Sequence, residues 1–552
     1  MVFFVPLKKY RLKFSIALLC VVSANLLALV PPWFLKVLLD GISHRNDMLL
    51  TRILCLLTAV VTLKAFLEYA GSYLGLEIAE RFVADLRESI YRHLLSYSVL
   101  DIEDFSTGEL ISRVMADTEC IKRFLFCGVL DFFYCALSAV FVIAVLFSMD
   151  VALAVMAALV LSLFLIVYGG MGKKLRIGYG LLRQRQAELS GRIGEVFRGI
   201  RTVHLLGQRE YEVENFRDKQ EQTLLTALGN HSGDARFFIT AEFLSAVGLI
   251  ALLGYGMREV VRGKMTMGTL VAFYTYAGLL FLPLLKMTAS GGVYREARAS
   301  WERIQGVFRR DAPASQPIPS PRVLKTIHGH VQFQNVIFTY GDSRRALSGV
   351  DLQLRPGEWT VLVGPSGCGK TTLTYILARL FEPASGRVLV DGIDIRKFSL
   401  EHYRRSVAIV GPNDFLFSDT IANNIRYGCL EAGDESIMAS AKSAGIHSFI
   451  SGLPRGYNTR IGEGGVQLSN GQRQRIVLAR TLLRDPRILV LDEALSAVDP
   501  ANFQETMRTI RWLRKDRSTL VITHRVPATE YADKIVKMNE GKIEDVLQTH
   551  VV

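Results

Sequence analysis

The segment that decides the fold of the second half of the chain is Thr360-Val-Leu-Val-Gly-Pro-Ser-Gly-Cys-Gly-Lys-Thr-Thr372. It starts with a short apolar run typical of a buried strand and passes through three glycines into a helical pattern. Residues 364–371 fit the pattern GxxxxGK[ST]. Glycines in this pattern let backbone N–H groups close around a phosphate, and the following helix N-terminus adds positive potential. The segment therefore predicts a phosphate-binding loop between a strand and a helix.

Two side chains of this loop have the chemistry to hold a nucleotide and its metal ion. Lys370 can reach the β- and γ-phosphates, and the Thr371 hydroxyl can be a ligand of Mg²⁺. The candidate nucleotide-binding residues are Gly364, Pro365, Ser366, Gly367, Cys368, Gly369, Lys370, Thr371 and Thr372.

A second part of the same site follows about 120 residues later in the chain. Ile488-Leu-Val-Leu-Asp492 is an apolar run that ends in a carboxylate, and Glu493 comes directly after it. Asp492 is placed to be a magnesium ligand, and Glu493 to polarise the water that attacks the γ-phosphate. A carboxylate after an apolar strand is weak evidence alone. In combination with the upstream loop it predicts a P-loop nucleotidase.

The sequence on either side of the loop indicates an α/β domain. Val331-Gln-Phe-Gln-Asn-Val alternates apolar and polar residues as a strand does, and helical patterns separate the strand-like runs. Residues 309–322, RRDAPASQPIPSPR, contain four prolines in fourteen residues and are predicted to be a linker. We therefore predict a membrane domain at 1–308, a linker at 309–326 and a nucleotide-binding domain at 327–552.

The composition of the whole chain is that of a membrane protein, and its long apolar stretches lie in the first 308 residues. Hydrophobic residues make up 50% of the whole chain and charged residues 21%, and the mean hydropathy is +0.26. This composition excludes an ordinary soluble or disordered protein. Six apolar stretches have about the length that crosses ~30 Å of hydrocarbon as a helix: residues 14–35, 53–76, 132–149, 151–172, 237–257 and 265–285. We predict six transmembrane helices that extend into the cytosol.

The distribution of charge predicts the orientation in the membrane. The first stretch is preceded by Lys8, Lys9, Arg11 and Lys13, which places the N-terminus in the cytoplasm. The net charge of +13 is then explained by cytoplasmic faces, and no nucleic-acid partner is expected. We expect a multi-pass protein of the plasma (inner) membrane whose nucleotide-binding domain is cytoplasmic. Apolar residues at helical spacing continue through the basic segment 173–236, for example Leu189, Ile193 and Val196.

One further motif is specific to a family. Leu468-Ser-Asn-Gly-Gln472, shortly before the Asp492 strand, resembles the LSGGQ signature of ABC transporters. From the first apolar stretch almost to its end, the chain resembles an ABC half-transporter of the exporter type. That fold is an all-α membrane domain joined to an α/β P-loop ATPase domain.

The resemblance implies roles for residues that the motifs alone do not assign. Tyr340 is expected to stack on adenine, and His524 to act with Glu493 in catalysis. Glu463 and Asp499 match family positions near the signature and in the D-loop, and residues 105–113 resemble the first intracellular loop, whose coupling helix docks on the ATPase. The signature residues expected to contact ATP are Ser469, Asn470, Gly471 and Gln472.

The chain departs from the family pattern at two positions. Asn470 stands in place of the first glycine of the signature, a modest change because Asn tolerates left-handed backbone angles. Pro412 stands where family members carry a glutamine that contacts Mg²⁺ and relays nucleotide state to the membrane helices. Proline has no side-chain oxygen for this role, and Asn413 is the candidate substitute.

The family places one ATP between the phosphate loop of one subunit and the signature of another, so the resemblance implies a dimer. A homodimer is favoured, and positions 412 and 470 keep a heterodimer open. ATP and Mg²⁺ are the implied cofactors, the lipid bilayer is the setting, and ATP-driven export of a peptide, lipid or drug-like substrate is the implied function. An importer on the same fold, such as a siderophore system, and an ATP-gated channel are the alternatives.

The sequence offers only weak candidates for substrate contact. Lys64 and Glu68 are four residues apart within an apolar stretch, where they could contact substrate or form an intrahelical ion pair. Glu242 and Lys286 are further candidates of lower priority.

Overall fold

The computed structural model describes residues 9–41, 47–309, 326–341, 344–411, 415–462, 465–494, 496, 498, 500–523 and 530–549. The chain divides into two compact units. The first contains Met1–Leu94 and Thr107–Arg310, and the second contains Leu95–Ser106 and Asp311–Val552. The second unit therefore includes a short segment from the first third of the sequence. The predicted domains, each a single continuous range, did not include this arrangement.

The described part of the first unit is helical. Its helices, with α4 of the second unit included to keep chain order, are α1 (Arg11–Ala28), α2 (Val30–Gly41), α3 (Asp47–Leu95), α4 (Val99–Glu103), α5 (Thr107–Ser112), α6 (Thr118–Arg123), α7 (Asp131–Met149), α8 (Val151–Arg198), α9 (Ile200–Leu205), α10 (Arg209–Val261), α11 (Met267–Leu279) and α12 (Phe281–Arg309). Two π-helical stretches, Arg113–Asp117 and Phe124–Leu130, join α5, α6 and α7 into one long helical segment.

Four helical segments are long and apolar enough to cross a membrane: Arg11–Gly41, Thr51–Leu95, Thr107–Met149 and Arg209–Val261. They contain the first, second, third and fifth predicted stretches. The fourth stretch lies in α8, and the sixth covers α11 and the start of α12. In the described residues these two do not satisfy the same criteria, so the count of six spans stays a prediction.

Several helices are longer than a bilayer is thick. The 48 residues of α8 and the 53 residues of α10 correspond to about 70–80 Å at ~1.5 Å per residue. The hydrocarbon core of a bilayer is ~30 Å thick. The prediction that helices continue beyond the apolar stretches is therefore confirmed.

Some of the charged side chains in the first unit form ion pairs within it. The buried Asp117 accepts hydrogen bonds from the Nε of Arg303 at 3.0 and 3.2 Å. Lys64 Nζ lies 3.4 Å from Glu68 Oε1 one turn away, which favours the intrahelical ion pair over a substrate contact. Glu242 is exposed, and the Lys286 side chain lies outside the described residues.

The second unit is an α/β domain with two sheets. Its strands are β1 (Val331–Tyr340), β2 (Arg344–Leu354), β3 (Trp359–Val363), β4 (Ser385–Val390), β5 (Ile393–Asp394), β6 (Val407–Val410), β7 (Ile488–Asp492), β8 (Ser518–Ile522), β9 (Lys534–Asn539) and β10 (Lys542–Gln548). Its remaining helices are α13 (Lys370–Leu377), α14 (Leu400–Ser406), α15 (Ile421–Arg426), α16 (Asp434–Ser443), α17 (His447–Ser451), α18 (Asn470–Leu483) and α19 (Pro500–Leu513).

The larger sheet has the strand order β10-β9-β3-β8-β7-β6. Strands β6, β7, β8, β3 and β9 are parallel, and β10 is antiparallel to β9. The smaller, antiparallel sheet has the order β2-β1-β4-β5. The apolar runs predicted to be buried strands are confirmed as β3 and β7, and the alternating run is the start of β1.

The larger sheet has a hydrophobic core on each face. Alternate residues of β3 belong to different clusters: Val361 packs with α15, α16 and α18, whereas Leu362 packs with α13 and the smaller sheet. In β7, Leu489 and Val490 divide in the same way. Parallel strands covered on both faces are apolar throughout, which is why these runs do not alternate.

The short helix α4 packs within the second unit. Ser98 caps it, since the Ser98 Oγ accepts from the Asp101 N–H at 3.2 Å. Val99 and Leu100 pack against the core cluster that contains the smaller sheet. Helix α4 lies directly before residues 105–113, the segment that resembles the first intracellular loop, and the docking of a coupling helix from that loop stays a prediction. The helix ends at Glu103, and Thr107–Ser112 already belongs to the first unit.

Candidate functional site

The phosphate loop lies between the end of β3 and the start of α13. Two of its glycines are required by close approach to neighbouring backbone. A Cβ on Gly364 would lie 2.1 Å from the Met538 carbonyl oxygen. Gly369 has φ +106°, and a Cβ there would lie 2.5 Å from the Ala346 carbonyl oxygen. The loop is therefore held tightly against β9 and β2, and its backbone amides are fixed before any ligand binds.

Lys370 is the first residue of α13 and is almost fully buried. Its Nζ donates to the carbonyl oxygens of Gly364 and Pro365, both at 2.8 Å. These carbonyls hold the ammonium group within the loop, where a phosphate oxygen can replace them as its acceptor. A buried lysine that is bonded only to neutral acceptors strongly favours an anionic ligand.

Cys368 lies in the middle of the loop, but its side chain points into the domain. The residue is 5% exposed and belongs to the core cluster formed with the smaller sheet. Its Sγ is 3.8 Å from Lys370 Nζ. Of the residues predicted to bind nucleotide, Cys368 can therefore contribute its backbone N–H but not its thiol.

The sheet topology brings the two candidate metal ligands together. Strands β3 and β7 are both neighbours of β8, so their carboxyl ends meet at one edge of the sheet. There the Thr371 Oγ1 donates to Asp492 Oδ2 at 3.0 Å. A hydroxyl and a carboxylate fit Mg²⁺, which is usually held by few protein ligands together with phosphates and water. The described residues contain no cluster of three or more His, Cys, Asp or Glu side chains for a metal ion.

Glu493 follows Asp492 at the end of β7. Its backbone is left-handed, with φ +51°, and its N–H donates to the Ile522 carbonyl of β8 at 2.9 Å. A non-glycine residue in this region costs about 1–2 kcal/mol. Because the β8 contact holds this conformation, the chain turns sharply out of the sheet immediately after Asp492.

Gln474 of α18 is a contact to this turn that the sequence reasoning missed. Its Nε2 lies 3.2 Å from Ser496 Oγ and 3.5 Å from the Glu493 carbonyl oxygen. The side chain is buried. The available signal was its position on the same face of α18 as Val477 and Leu478, three and four residues later, where an apolar residue would be expected.

A cavity of about 350 Å³ collects most of the predicted residues. Tyr340 lies at one side, with its hydroxyl 3.0 Å from Thr372 Oγ1 and its ring packed edge-on against Phe338 and Phe381. The described lining residues are Tyr340, Ala346, Ser366, Gly367, Gly369, Lys370, Thr371, Thr372, Asp492 and Glu493. The volume and polarity suit the phosphate end of a nucleotide.

The signature residues are not part of this cavity. Ser469 caps α18 in a reciprocal arrangement with Gln472: the Ser469 N–H donates to Gln472 Oε1 at 2.9 Å, and the Gln472 N–H to Ser469 Oγ at 3.2 Å. Ser469 and Asn470 are exposed, whereas Gly471 is buried at the start of the helix. His524, Pro412, Asn413, Glu463 and Asp499 lie outside the described residues, so their predicted roles stay predictions.

The two units together define a class of protein: a P-loop ATPase joined to apolar helices long enough to cross a membrane. Comparison with known families agrees. The family model for the ABC transporter transmembrane region matches residues 14–284. The model described as ABC transporter matches residues 347–496. The chain belongs to the ABC transporter family.

Similar proteins extend over almost the whole chain. A Bacillus subtilis protein named for multidrug export, the ATP-binding/permease protein YgaD, is 31% identical, with 98% of this chain and 94% of the relative covered. The ATP-dependent lipid A-core flippase of Syntrophus aciditrophicus is 32% identical, with 96% and 88% covered. That of Desulfotalea psychrophila is also 32% identical, with 97% and 93% covered. The chain is thus an exporter-type ABC transporter that binds and hydrolyses ATP to drive transport.

Proposed function

We propose that this chain works as a dimer in which each ATP, with Mg²⁺, is held between the phosphate loop of one subunit and the signature of the other. The observation that carries the proposal is the separation of these motifs. The cavity at Lys370 and Asp492 includes no described residue of the signature, and Ser469 and Asn470 are exposed on α18. A second copy of the chain can supply the signature residues that the cavity lacks.

The residues of the cavity have separable roles in this proposal. The loop amides and Lys370 bind the phosphates, and Tyr340 packs against adenine. Thr371 and Asp492 hold Mg²⁺, which when bound neutralises phosphate charge. Glu493 orients the attacking water and accepts its proton, since it is a carboxylate in the lining of this cavity directly after Asp492. His524 acts with Glu493 in catalysis in this proposal. Pro412, which replaces the family's glutamine, provides no side-chain oxygen to Mg²⁺.

The proposed link to the membrane helices is the pair of short helices at the tips of long helical hairpins. Helix α4 joins α3 to α5 and is already packed in the second unit through Val99 and Leu100. Helix α9 joins α8 to α10, and it ends in Leu205 and Leu206, which are 80% and 67% exposed. Exposed leucines at a hairpin tip favour burial against a partner. We therefore propose that α9 docks on the ATPase unit of the second subunit.

The proposed direction is export, with both ATPase units in the cytoplasm and the substrate an amphipathic lipid or drug-like molecule. The relatives named for multidrug export and for lipid A-core transfer support this class of substrate. The aromatic face of α3 is compatible with it. Phe66, Tyr69 and Tyr73 are exposed along one side of that helix, and the rings of the two tyrosines stack at 6.2 Å.

A complementation experiment tests the dimer directly. Lys370→Ala disables the phosphate loop, and Ser469→Arg disables the signature. Each variant alone should bind ATP weakly. When the two are co-expressed with different tags and the mixed species is purified, one site contains an intact loop and an intact signature. We expect about one tightly bound ATP for each mixed dimer. If each site lay within one chain, mixing would restore nothing.

Export is tested by reconstituting the chain in lipid vesicles with a fluorescent lipid or a lipophilic dye in the membrane. With the ATPase units outside, ATP should move the probe toward the vesicle interior. Glu493→Gln should stop this movement, whereas Glu505→Gln, an exposed glutamate of α19, is the matched control and should not. Movement in the opposite direction would indicate an importer, and ATP-gated ion current without transfer of the probe would indicate a channel.

A further inference from the structure

A second and larger cavity lies in the ATPase unit at the opposite edge of the main sheet. Its volume is about 680 Å³. Trp359, the first residue of β3, lines it, whereas the phosphate loop follows the last residue of the same strand. The end of α19 and the turn before β3 form its other walls. This cavity is therefore separate from the nucleotide site described above.

The exposed rim of the cavity is basic. Arg355, Arg508 and Lys515 all line it and are exposed. No hydrogen-bond acceptor or carboxylate partner is found for these three side chains within the described part of the chain. With Arg511, four cations line the cavity against two carboxylates, so the described lining carries a net positive charge that favours an anion.

The two carboxylates each lie beside a cation other than the three of the rim, and Glu358 Oε1 accepts no hydrogen bond from the described residues. Asp533 accepts from the Trp359 backbone N–H at 2.8 Å and from Arg511 Nη2 at 2.7 Å. Glu358 lies 3.6 Å from the ammonium group of Lys534. These contacts belong to the wall of the cavity and leave the rim cations available.

Two tryptophans give the cavity a second kind of chemistry. Trp359 is 1% exposed, and its Nε1 is buried with no hydrogen-bond acceptor among the described residues. Trp359 therefore belongs to the wall of the cavity and offers almost no exposed surface to a ligand. Trp512 is 67% exposed and lies on the rim. A large exposed indole beside cations is typical of sites that stack planar rings.

We propose that this cavity is a second ligand site of the ATPase unit that binds a small anion carrying a planar ring, the chemistry of a mononucleotide. The anionic group would contact Arg355, Arg508 and Lys515, and the ring would stack on Trp512. The volume lies in the range of small-molecule sites. This inference does not depend on the dimer or on the transported substrate.

The test uses AMP as the probe and the full-length chain in nanodiscs, with binding measured by equilibrium dialysis. Trp512→Ala and Arg508→Ala remove the proposed ring and charge contacts. Lys370→Ala removes the phosphate-loop lysine, and Arg405→Ala, an exposed arginine of α14, is the control for lost surface charge. Trp512→Ala and Arg508→Ala should keep the basal ATPase rate, which shows that they fold.

We expect the affinity for AMP to fall about tenfold or more in Trp512→Ala, because this substitution removes the free energy of stacking one base on an aromatic ring. A loss of similar size is expected in Arg508→Ala, with little change in Lys370→Ala or Arg405→Ala. Adenosine and inorganic phosphate should each bind more weakly than AMP. The proposal is overturned if AMP binding is lost in Lys370→Ala and kept in the Trp512 and Arg508 variants. It is also overturned if phosphate alone binds as tightly as AMP.

Discussion

Gly369 offers a quantitative test of the phosphate loop, because two separate costs meet at this one residue. Its φ of +106° is a conformation that costs an alanine about 1–3 kcal/mol. An added Cβ would also lie 2.5 Å from the Ala346 carbonyl oxygen, and overpacking of this kind costs about 1–3 kcal/mol. We expect Gly369→Ala to displace the loop amides and weaken ATP binding by at least about 2 kcal/mol, or about 30-fold.

The control for this prediction is Gly392→Ala, in the turn between β4 and β5. Gly392 has φ +79° but no atom within 4 Å of an added Cβ, so only the conformational cost applies. ATP affinity, measured by fluorescent-nucleotide binding to the full-length chain, should stay within about twofold of wild type. The thermal transition of the ATPase unit should fall by about 2–4 °C per kcal/mol in either variant. Equal ATP affinity in the two variants would refute the close-approach argument.

Four further outcomes are expected. Glu493→Gln should keep ATP binding but lower turnover by about 10² or more, so near wild-type ATPase would remove this residue from catalysis. Cys368 should react slowly with maleimide despite its place at a helix N-terminus, because its side chain is buried; rapid ATP-protected labelling that is absent in Cys368→Ala would contradict this. Gln474→Leu should lower kcat more than it changes ATP affinity, since it frees the turn that carries Glu493. Gln474→Glu should not recover the rate, because a carboxylate cannot donate to the Glu493 carbonyl oxygen; a change in affinity alone would argue against positioning. Pro412→Gln should raise turnover or its stimulation by substrate, whereas Asn413→Ala should be damaging only if Asn413 has taken the glutamine's role; indifference to both would show that these side chains are not part of coupling.

Much of the ATPase unit was predictable from the sequence because its central strands are buried on both faces. Such strands are continuous apolar runs, and β3 and β7 each lead directly into a site motif. The contact between Thr371 and Asp492 follows from the fold class, since parallel strands place their carboxyl ends at one edge. The residue types of the two motifs, together with the order of the parallel strands, were sufficient to predict that Thr371 and Asp492 lie close together.

The direction of individual side chains could not be predicted in the same way. The pattern GxxxxGK[ST] fixes where the loop amides lie, but it leaves the middle positions open. The thiol of Cys368 points into the core because it packs with residues of strands that are distant in the sequence. Gln474 is a similar case. Its place on the buried face of α18 could be read from the sequence, but its contacts with the turn at Glu493 and Ser496 could not.

The segment Leu95–Ser106 shows most clearly why periodicity alone is not enough. Helix α4 has five residues, fewer than an isolated helix needs for stability, so it depends on packing through Val99 and Leu100. Sequence patterns weight long helices, and they assigned this stretch to the surrounding membrane domain. The packing of α4 also bears on how movement of the ATPase unit would reach the neighbouring helices. Because α4 packs with the ATPase unit and is continuous in sequence with α3 and α5, any rotation of that unit on ATP binding must displace the ends of both helices. In the proposed mechanism, this chain connection carries movement of the ATPase unit to α3 and α5.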